Sequence, residues 1–250
     1  MSTPTSSLST PLRTSTRPVR GVARRPFHAV MAWLMAAVVV YGFSRTIGAN
    51  LLHPSAPRPL LLYVHSAAFG AWLLLFVVQS MLPLAGRVAW HRRLGVAAAW
   101  LGAAIPVLGL WTAVAMYRYH LAQDPHAPSS PAGLSVPLND MLSFALAFGL
   151  AIRWRRRPDL HRRLMLIAMA CLTVAAFARF PERLVPDPWW YLYVDALVVA
   201  GALRDLIVER RIHRVYLVAL PALAAGQALA MWLMLAEPAP WVAALRTLLG

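Results

Sequence analysis

The sequence has no lysine, one cysteine and few charged residues of any kind. All 24 basic residues are arginine, and Cys171 has no second cysteine with which to form a disulfide or a redox pair. Charged residues make up 13% of the chain, whereas a soluble domain has roughly 25%. Phosphate-binding loops, nucleophile elbows, zincin motifs and dinucleotide-binding fingerprints do not occur. The common soluble-enzyme chemistries therefore find no support.

The chain is rich in hydrophobic residues. They form 60% of the 250 residues, and the mean hydropathy is +0.58. A transmembrane helix needs about 20 apolar residues, so this length accommodates about seven spans with short loops. We predict an all-α polytopic membrane helix bundle of seven transmembrane helices, near residues 27–47, 59–84, 94–117, 136–152, 164–178, 189–206 and 215–236. Residues 1–26 are predicted to be a disordered basic tail, and residues 237–250 a short tail at the outer face.

The distribution of arginine predicts the orientation. With the N-terminus in the cytoplasm, 18 arginines and three acidic residues fall on the cytoplasmic side, so the whole net charge of +15 lies there. Multi-spanning proteins carry their excess positive charge on that side. We therefore predict an N-in, C-out multi-pass protein of the bacterial inner membrane. Its basic face is expected to contact anionic lipids, and no nucleic-acid partner is expected.

Three helical hairpins after the first span repeat one layout. Each has a polar residue in the first turns of its first helix and an arginine-rich turn with a histidine before its second helix. The matching sets are Pro59, His65, Arg87 and His91; Pro137, Asp140, Arg157 and His161; and Pro188, Asp195, Arg210 and His213. Because a polar group is costly in lipid, a polar residue at a matching place in three hairpins indicates a site.

The first polar residue of each hairpin lies at a similar predicted depth. At about 1.5 Å per residue, His65 lies roughly 9 Å, Asp140 about 5 Å and Asp195 about 10 Å below the proline that opens its helix. All three therefore belong to the outer leaflet, with Asn139 and Arg179 on the same side. One imidazole and two carboxylates suit a divalent metal ion or a proton relay. We predict an outer polar site built on these five residues.

Separate structural roles are the alternative for the same residues. Asp140 suits the first turn of a helix, where the macrodipole favours an acid. Asp195 has Arg179 and Arg183 as possible ion-pair partners, and His65 has neighbouring carbonyl groups. His65 also opens a helical stripe that is either a packing face or the wall of a pocket. The other members of the stripe are Phe69, Trp72, Phe76 and Gln79.

A second set of polar residues lies at the cytoplasmic ends of the predicted spans. Neighbouring arginines favour interfacial anchoring or contact with lipid phosphate. Paired imidazoles on facing helices also ligate haem b, which makes a quinol-linked b-type cytochrome the alternative. His65 cannot share an iron with this set, because the 26 residues from His65 to His91 span about 39 Å along a continuous helix. The inner set comprises His91, His161, His213 and Asp205.

The chain resembles a group of uncharacterised bacterial multi-spanning inner-membrane proteins over roughly residues 30 to 235. The resemblance lies in the stretches YVHSAAFGAWLLLFVVQ, GRVAWHRRLG, LHRRLMLIA and ALRDLIVERRIHRV. It implies a membrane bundle but no activity, and its implied signature positions are His65, His91, Asp140, His161, Asp205 and His213. The histidine pattern also loosely resembles the cytochrome b561-like haem proteins.

Three classes of function remain open from the sequence. The leading hypothesis is an outer polar site that binds a divalent metal or relays protons, with the reaction and ligand unassigned. The second is a b-type haem cytochrome. The third is a non-catalytic assembly partner or a small transporter that uses the repeated hairpins.

Overall fold

A computed structural model describes residues 26–124 and 130–249, and this part of the chain contains helices and no strands. The prediction of an all-α fold is therefore confirmed. The predicted disordered tail lies almost entirely outside the described residues. The longer helices are α1 (Phe27–Ser44), α2 (Leu60–Met81), α3 (Val88–Gln123), α4 (Ser135–Arg153), α5 (Pro158–Cys171), α7 (Trp190–Glu209) and α8 (Arg214–Ala236). The shorter ones are α6 (Val174–Phe177) and α9 (Ala239–Leu249), with a π-turn at Gly48–Leu52 and a 3₁₀ turn at Pro131–Leu134.

Six of these segments are long and apolar enough to cross a membrane. They are α1, α2, α3, α4 with its preceding 3₁₀ turn, α5 together with α6, and α8. Large apolar side chains cover their outer surfaces, as Trp100 and Leu60 show with exposed fractions of 77% and 76%. An exposed apolar surface of this kind suits lipid rather than water. These are the features of a multi-pass membrane protein.

Helix α5 is the central element of the bundle. It packs against α1, α4, α7 and α8. In an 18-residue window of the segment Pro158–Phe177, 78% of the residues are buried. The corresponding share in the other five candidate spans is 11–39%. A helix that is apolar on all sides is expected in such a position. Polar side chains on α5 are therefore enclosed by protein from several directions.

The sequence-based helix limits need three corrections. The third span, predicted near residues 94–117, is longer, because α3 starts at Val88 and continues to Gln123. The fifth span begins at Pro158 rather than near residue 164, since proline is well suited to the first helical position. That span also breaks after Cys171, where the Thr173 hydroxyl donates to the Ala170 carbonyl at 2.7 Å.

Aromatic packing fixes α2 against α4. Trp72 is 2% exposed, and its ring makes edge contacts with Phe144 and Phe148. Phe76, one turn later, is also buried. Edge-to-face aromatic pairs add stabilisation beyond the area that they bury. The middle of the α2 stripe is therefore a packing face.

The predicted C-terminal tail contains a helix, α9. Helix α9 packs on the 3₁₀ turn that precedes α4, and the Trp241 indole donates to the Ala132 carbonyl at 3.3 Å. Leu245 is its buried residue. This contact places α9 at the same end of the bundle as the start of α4.

Candidate functional site

Asp140 lies in the bundle interior with neutral hydrogen-bond donors around it. The side chain is on the second turn of α4 and the residue is 5% exposed. Its Oδ1 accepts from the Tyr191 hydroxyl at 2.7 Å and from Asn139 Nδ2 at 3.4 Å. Asn139 Nδ2 is also 3.1 Å from the Tyr191 oxygen. In the described ranges, no arginine or histidine forms an ion pair with Asp140.

Asp195 extends this group of polar residues toward α8. It lies one helical turn after Tyr191 on α7 and accepts from Gln227 Nε2 at 2.9 Å. Gly226, next to Gln227, allows α4 to come close, because a Cβ there would be 2.6 Å from Asn139 Oδ1. We call Asn139, Asp140, Tyr191, Asp195 and Gln227 the acidic layer. It joins α4, α7 and α8.

His65 is not hydrogen-bonded to the acidic layer. Its ring stacks on Phe69 with the centroids 4.0 Å apart, and it lies beside the Leu108 carbonyl of α3. His65 Nδ1 is buried and has no hydrogen-bond partner among the described residues. The structure thus places Asp140 and Asp195 in two neighbouring hydrogen-bonded groups, through Tyr191 and Gln227 respectively, and places His65 against α3. The predicted depth of these residues did not show which neighbouring helix each side chain faces.

Arg179 also makes its contacts elsewhere. Its Nε donates to the Thr46 hydroxyl at 3.2 Å, and its guanidinium lies 4.4 Å from the centre of the Phe43 ring. It does not pair with Asp195, whose partner is Gln227. The ion pair considered for Asp195 and Arg179 is therefore wrong. Arg179 ties the end of α6 to the end of α1.

Metal binding by the outer residues gains no support. Across residues 26–124 and 130–249, no three His, Cys, Asp or Glu side chains are grouped so that they would hold one metal ion. His65, Asp140 and Asp195 do not form such a group. The metal site remains a prediction, whereas the carboxyl chemistry of the acidic layer has a geometric basis.

An apolar cavity lies beside Asp140. Its volume is about 320 Å³, and it is bounded by the 3₁₀ turn, α4, the α6 region, α7 and α8. Among the described residues, Asp140 is the one acidic side chain in its wall. The other lining residues include Val136, Val174, Ala178, Trp190 and Met234. Such a space suits an apolar molecule with one polar end directed at the carboxyl group.

At the opposite end of the bundle, Arg163 is the centre of a buried ion network. Its side chain is 1% exposed. Its Nε and Nη2 donate to the two carboxylate oxygens of Asp205 at 2.6 and 2.9 Å. Nη2 also lies 2.8 and 2.9 Å from the Glu209 carboxylate oxygens, and Nη1 donates to the Asp159 carbonyl at 2.8 Å. Two-point contact of this kind fixes a guanidinium strongly.

Two further arginines complete the ion network. Arg204 Nη1 donates to Asp205 at 2.8 Å and to Glu209 at 2.6 Å. Arg162 Nη2 reaches Glu209 at 3.4 Å. Asp205 of the predicted inner set is thus bonded to Arg163, which was not among the predicted site residues. Asp205 and Glu209, four residues apart on one face of α7, were the available signal.

Two of the repeated histidines share one geometry. His91 Nδ1 is 3.1 Å from the Gln79 carbonyl, and His161 Nδ1 is 2.9 Å from the Ala151 carbonyl. A carbonyl accepts, so each ring carries its proton on Nδ1 and, when neutral, has its lone pair on Nε2. The two ring centres are 6.3 Å apart and the rings are nearly perpendicular. Each histidine closes the turn between the two helices of its hairpin.

His213 departs from the repeat. It is the N-cap residue of α8, and its Nδ1 accepts from the Val215 backbone N–H at 3.2 Å. Its Nε2 is 3.7 Å from the Asp159 carboxylate. Partial burial, followed by the nearby charge of Arg163, lowers the pKa of His213. His213 is therefore a helix cap and does not pair with His91 and His161.

Comparison of the chain with family models, with curated proteins and with solved structures found no match in any of the three. Function is therefore inferred from residue geometry and chemistry.

Proposed function

We propose that this protein is a seven-span, N-in/C-out protein of the bacterial inner membrane whose Asp140 is a proton-exchanging group in an outer-leaflet site. The site takes a membrane-soluble molecule with one cationic or hydroxyl end. The observation that carries the proposal is a carboxyl group, 5% exposed, that has neutral donors and borders an apolar cavity. An unpaired buried charge is costly, so such a carboxyl group binds a proton or a cationic ligand.

The hydrogen bonds around Asp140 leave room for that exchange. Tyr191 and Asn139 both donate to Oδ1, and in the described part of the chain no hydrogen bond reaches Oδ2. One oxygen is thus held in place while the other can carry a proton or receive one from a ligand. Tyr191 is the positioning residue, because its hydroxyl makes the shorter bond. Asp195 is a less isolated acid with an amide donor of its own.

Infrared spectroscopy of the protein in lipid bilayers tests this role directly. A protonated carboxyl group has a carbonyl-stretching band that ionised carboxylates lack. We expect a band that titrates with pH, that Asp140→Asn removes and that Tyr191→Phe shifts, because the 2.7 Å hydrogen bond is lost. Asp195→Asn is the matched control and should leave that band in place. A titrating band that persists unchanged in Asp140→Asn would refute the proposal.

The seventh span in this proposal is α7. It has 20 residues, which at about 1.5 Å each cover the roughly 30 Å hydrocarbon core. Charged residues in α7 make its composition less typical of a membrane span. However, Asp205 bonds to Arg163 and Arg204, and Asp195 bonds to Gln227. Charged residues in spanning helices are tolerated when they face partners inside the bundle. The proposed resemblance to multi-spanning inner-membrane proteins points the same way.

Cysteine labelling tests whether α7 crosses the membrane. The chain's single cysteine is replaced by Cys171→Ala, and exposed Arg183 and Arg211 on either side of α7 are changed one at a time to cysteine. A membrane-impermeant maleimide added to intact cells should label Arg183→Cys only. Arg211→Cys should react after the membrane is opened. Labelling of both in intact cells would contradict the seven-span arrangement.

A b-type haem protein is a second candidate, favoured by the His91–His161 pair. The ring centres lie 6.3 Å apart, and the Nε2 atom of each ring would be the one to hold a haem iron. The carbonyl contacts of Nδ1 are the usual support for a ligating histidine. Purified protein should then show a Soret band that His91→Ala and His161→Ala each abolish and that His213→Ala retains. A colourless protein from haem-supplemented cells would eliminate this candidate.

A further inference from the structure

Three nitrogen-bearing side chains from different helices meet beside the ion network. Arg162 is in the second turn of α5, and Arg204 is near the end of α7. Both contact the same Glu209 carboxylate oxygen, Oε1, at 3.4 and 2.6 Å. His28, the second residue of α1, lies within electrostatic range of both guanidinium groups. The start of α1, the start of α5 and the end of α7 therefore enclose one polar region.

Each of these side chains has a buried nitrogen that makes no hydrogen bond. In the described part of the chain, Arg162 Nε, Arg204 Nε and His28 Nε2 are all shielded and have no partner. Buried polar atoms are nearly always hydrogen-bonded, and leaving one unsatisfied costs about 1–3 kcal/mol. All three belong to side chains beside the same ion network. The two guanidinium Nε–H groups, and His28 when its proton is on Nε2, would donate to a ligand that accepts hydrogen bonds.

The net positive charge of this region favours an anionic ligand. The ion network contains three guanidinium groups and two carboxylates, so it has an excess of one positive charge. Asp159 does not remove this excess, since its carboxylate lies 3.7 Å from His213 and is 47% exposed. Guanidinium N–H groups bind phosphate oxygens with favourable geometry. A phosphate group offers enough acceptor oxygens for three donors that approach from three helices.

We propose that His28, Arg162 and Arg204 form a binding site for a phosphate-bearing anion at this end of the bundle. The site is at the helix ends, where the phosphate of an anionic phospholipid or free phosphate has access from the membrane surface. Arg163 belongs to the supporting structure, because all of its donor contacts are made within the protein. The site is independent of Asp140 and of the acidic layer.

Binding titrations with two probes test the site and its source of phosphate. Detergent-purified protein is titrated with phosphatidylglycerol, followed by native mass spectrometry, and with inorganic phosphate, followed by calorimetry. Arg162→Gln and His28→Ala should each weaken binding about ten-fold or more, since each removes a donor to a charged group. Arg156→Gln is the matched control: it removes one exposed arginine charge from the turn between α4 and α5. It should leave the affinity within about two-fold.

The outcomes separate a specific site from diffuse attraction. Lipid binding that depends on Arg162 and His28, without binding of inorganic phosphate, identifies a lipid headgroup site. Binding of inorganic phosphate with the same dependence identifies a soluble ligand. The proposal is overturned if Arg156→Gln weakens binding as much as Arg162→Gln, or if neither probe binds. His28→Ala keeps the test decisive if an arginine variant fails to fold, because His28 makes no ion pair among the described residues.

Discussion

Replacing Arg163 by glutamine should destabilise the protein by about 3 kcal/mol, at the lower end of the 3–5 kcal/mol expected when one partner of a buried ion pair is removed. Arg163 is 1% exposed and makes two bonds to Asp205, two to Glu209 and one to a backbone carbonyl. The lower end applies because Arg204 continues to bond both acids. Glutamine retains part of the stem but no charge.

Arg162→Gln is the matched comparison. Arg162 immediately precedes Arg163 on α5, its side chain is 41% exposed, and among the described residues its ion-pair contact, with Glu209, is 3.4 Å long. Exposed ion pairs of this kind contribute about 0–1 kcal/mol. Unfolding is followed by circular dichroism as dodecyl sulfate is titrated into detergent-solubilised protein. If the free energy of unfolding falls by the same amount in both variants, the assignment of Arg163 as the centre of the network is wrong.

A double-mutant cycle measures the pair itself. Asp205→Asn removes the second partner, and the double variant with Arg163→Gln contains neither charge. Because no buried charge is then left without its partner, the double variant should lose less stability than the sum of the two single variants. Strict additivity would show that Arg163 and Asp205 do not interact energetically in the bilayer-like environment.

Two further predictions concern helix ends and helix contacts. His213 must be neutral to accept from Val215, and its lowered pKa means that the unfolded chain takes up the proton first. Thermal stability should therefore be complete above about pH 6.5 and fall as the pH drops below it, and His213→Asn should reduce that dependence. Gly201→Ala should lower the free energy of unfolding by about 1–3 kcal/mol, because a Cβ there would overlap the Tyr216 hydroxyl. A Cβ at Gly149 meets open space, so Gly149→Ala should be neutral or stabilising in the same unfolding assay.

Helix positions were predictable from the sequence because they depend on local properties. Long apolar runs identified α1, α2, α4 and α8, with limits close to the observed ones. The break after Cys171 was not predictable in this way, since residues 164–178 are apolar throughout. It depends on a local hydrogen bond of Thr173, which a hydropathy pattern does not register.

The candidate site was predictable only in part. The sequence gives the depth of a residue along its helix, but it does not give the direction in which the side chain points. The helical rise gives the depth of His65, Asp140 and Asp195 from the chain alone. Direction depends on how each helix is rotated about its axis, and that is set by packing. The contacts of Trp72 and Phe144 rotate α2 so that His65 faces α3. Tyr191, the hydrogen-bond partner of Asp140 on α7, was not among the predicted site residues.

The two polar regions of the bundle are separated by an apolar section, and this decides what kind of proton chemistry the acidic layer can support. Asp195 and Asp205 are ten residues apart on α7, which is about 15 Å along the helix. The Tyr216 hydroxyl lies beside Gly201, but between Asp195 and Gly201 the buried residues of α7 are Leu197 and Val198. A proton needs a chain of hydrogen-bonding groups, and buried alkyl side chains provide none. In the proposed function, Asp140 would therefore exchange protons with its own side of the membrane, and this arrangement favours a one-sided binding or catalytic site over a path that conducts protons across the bilayer.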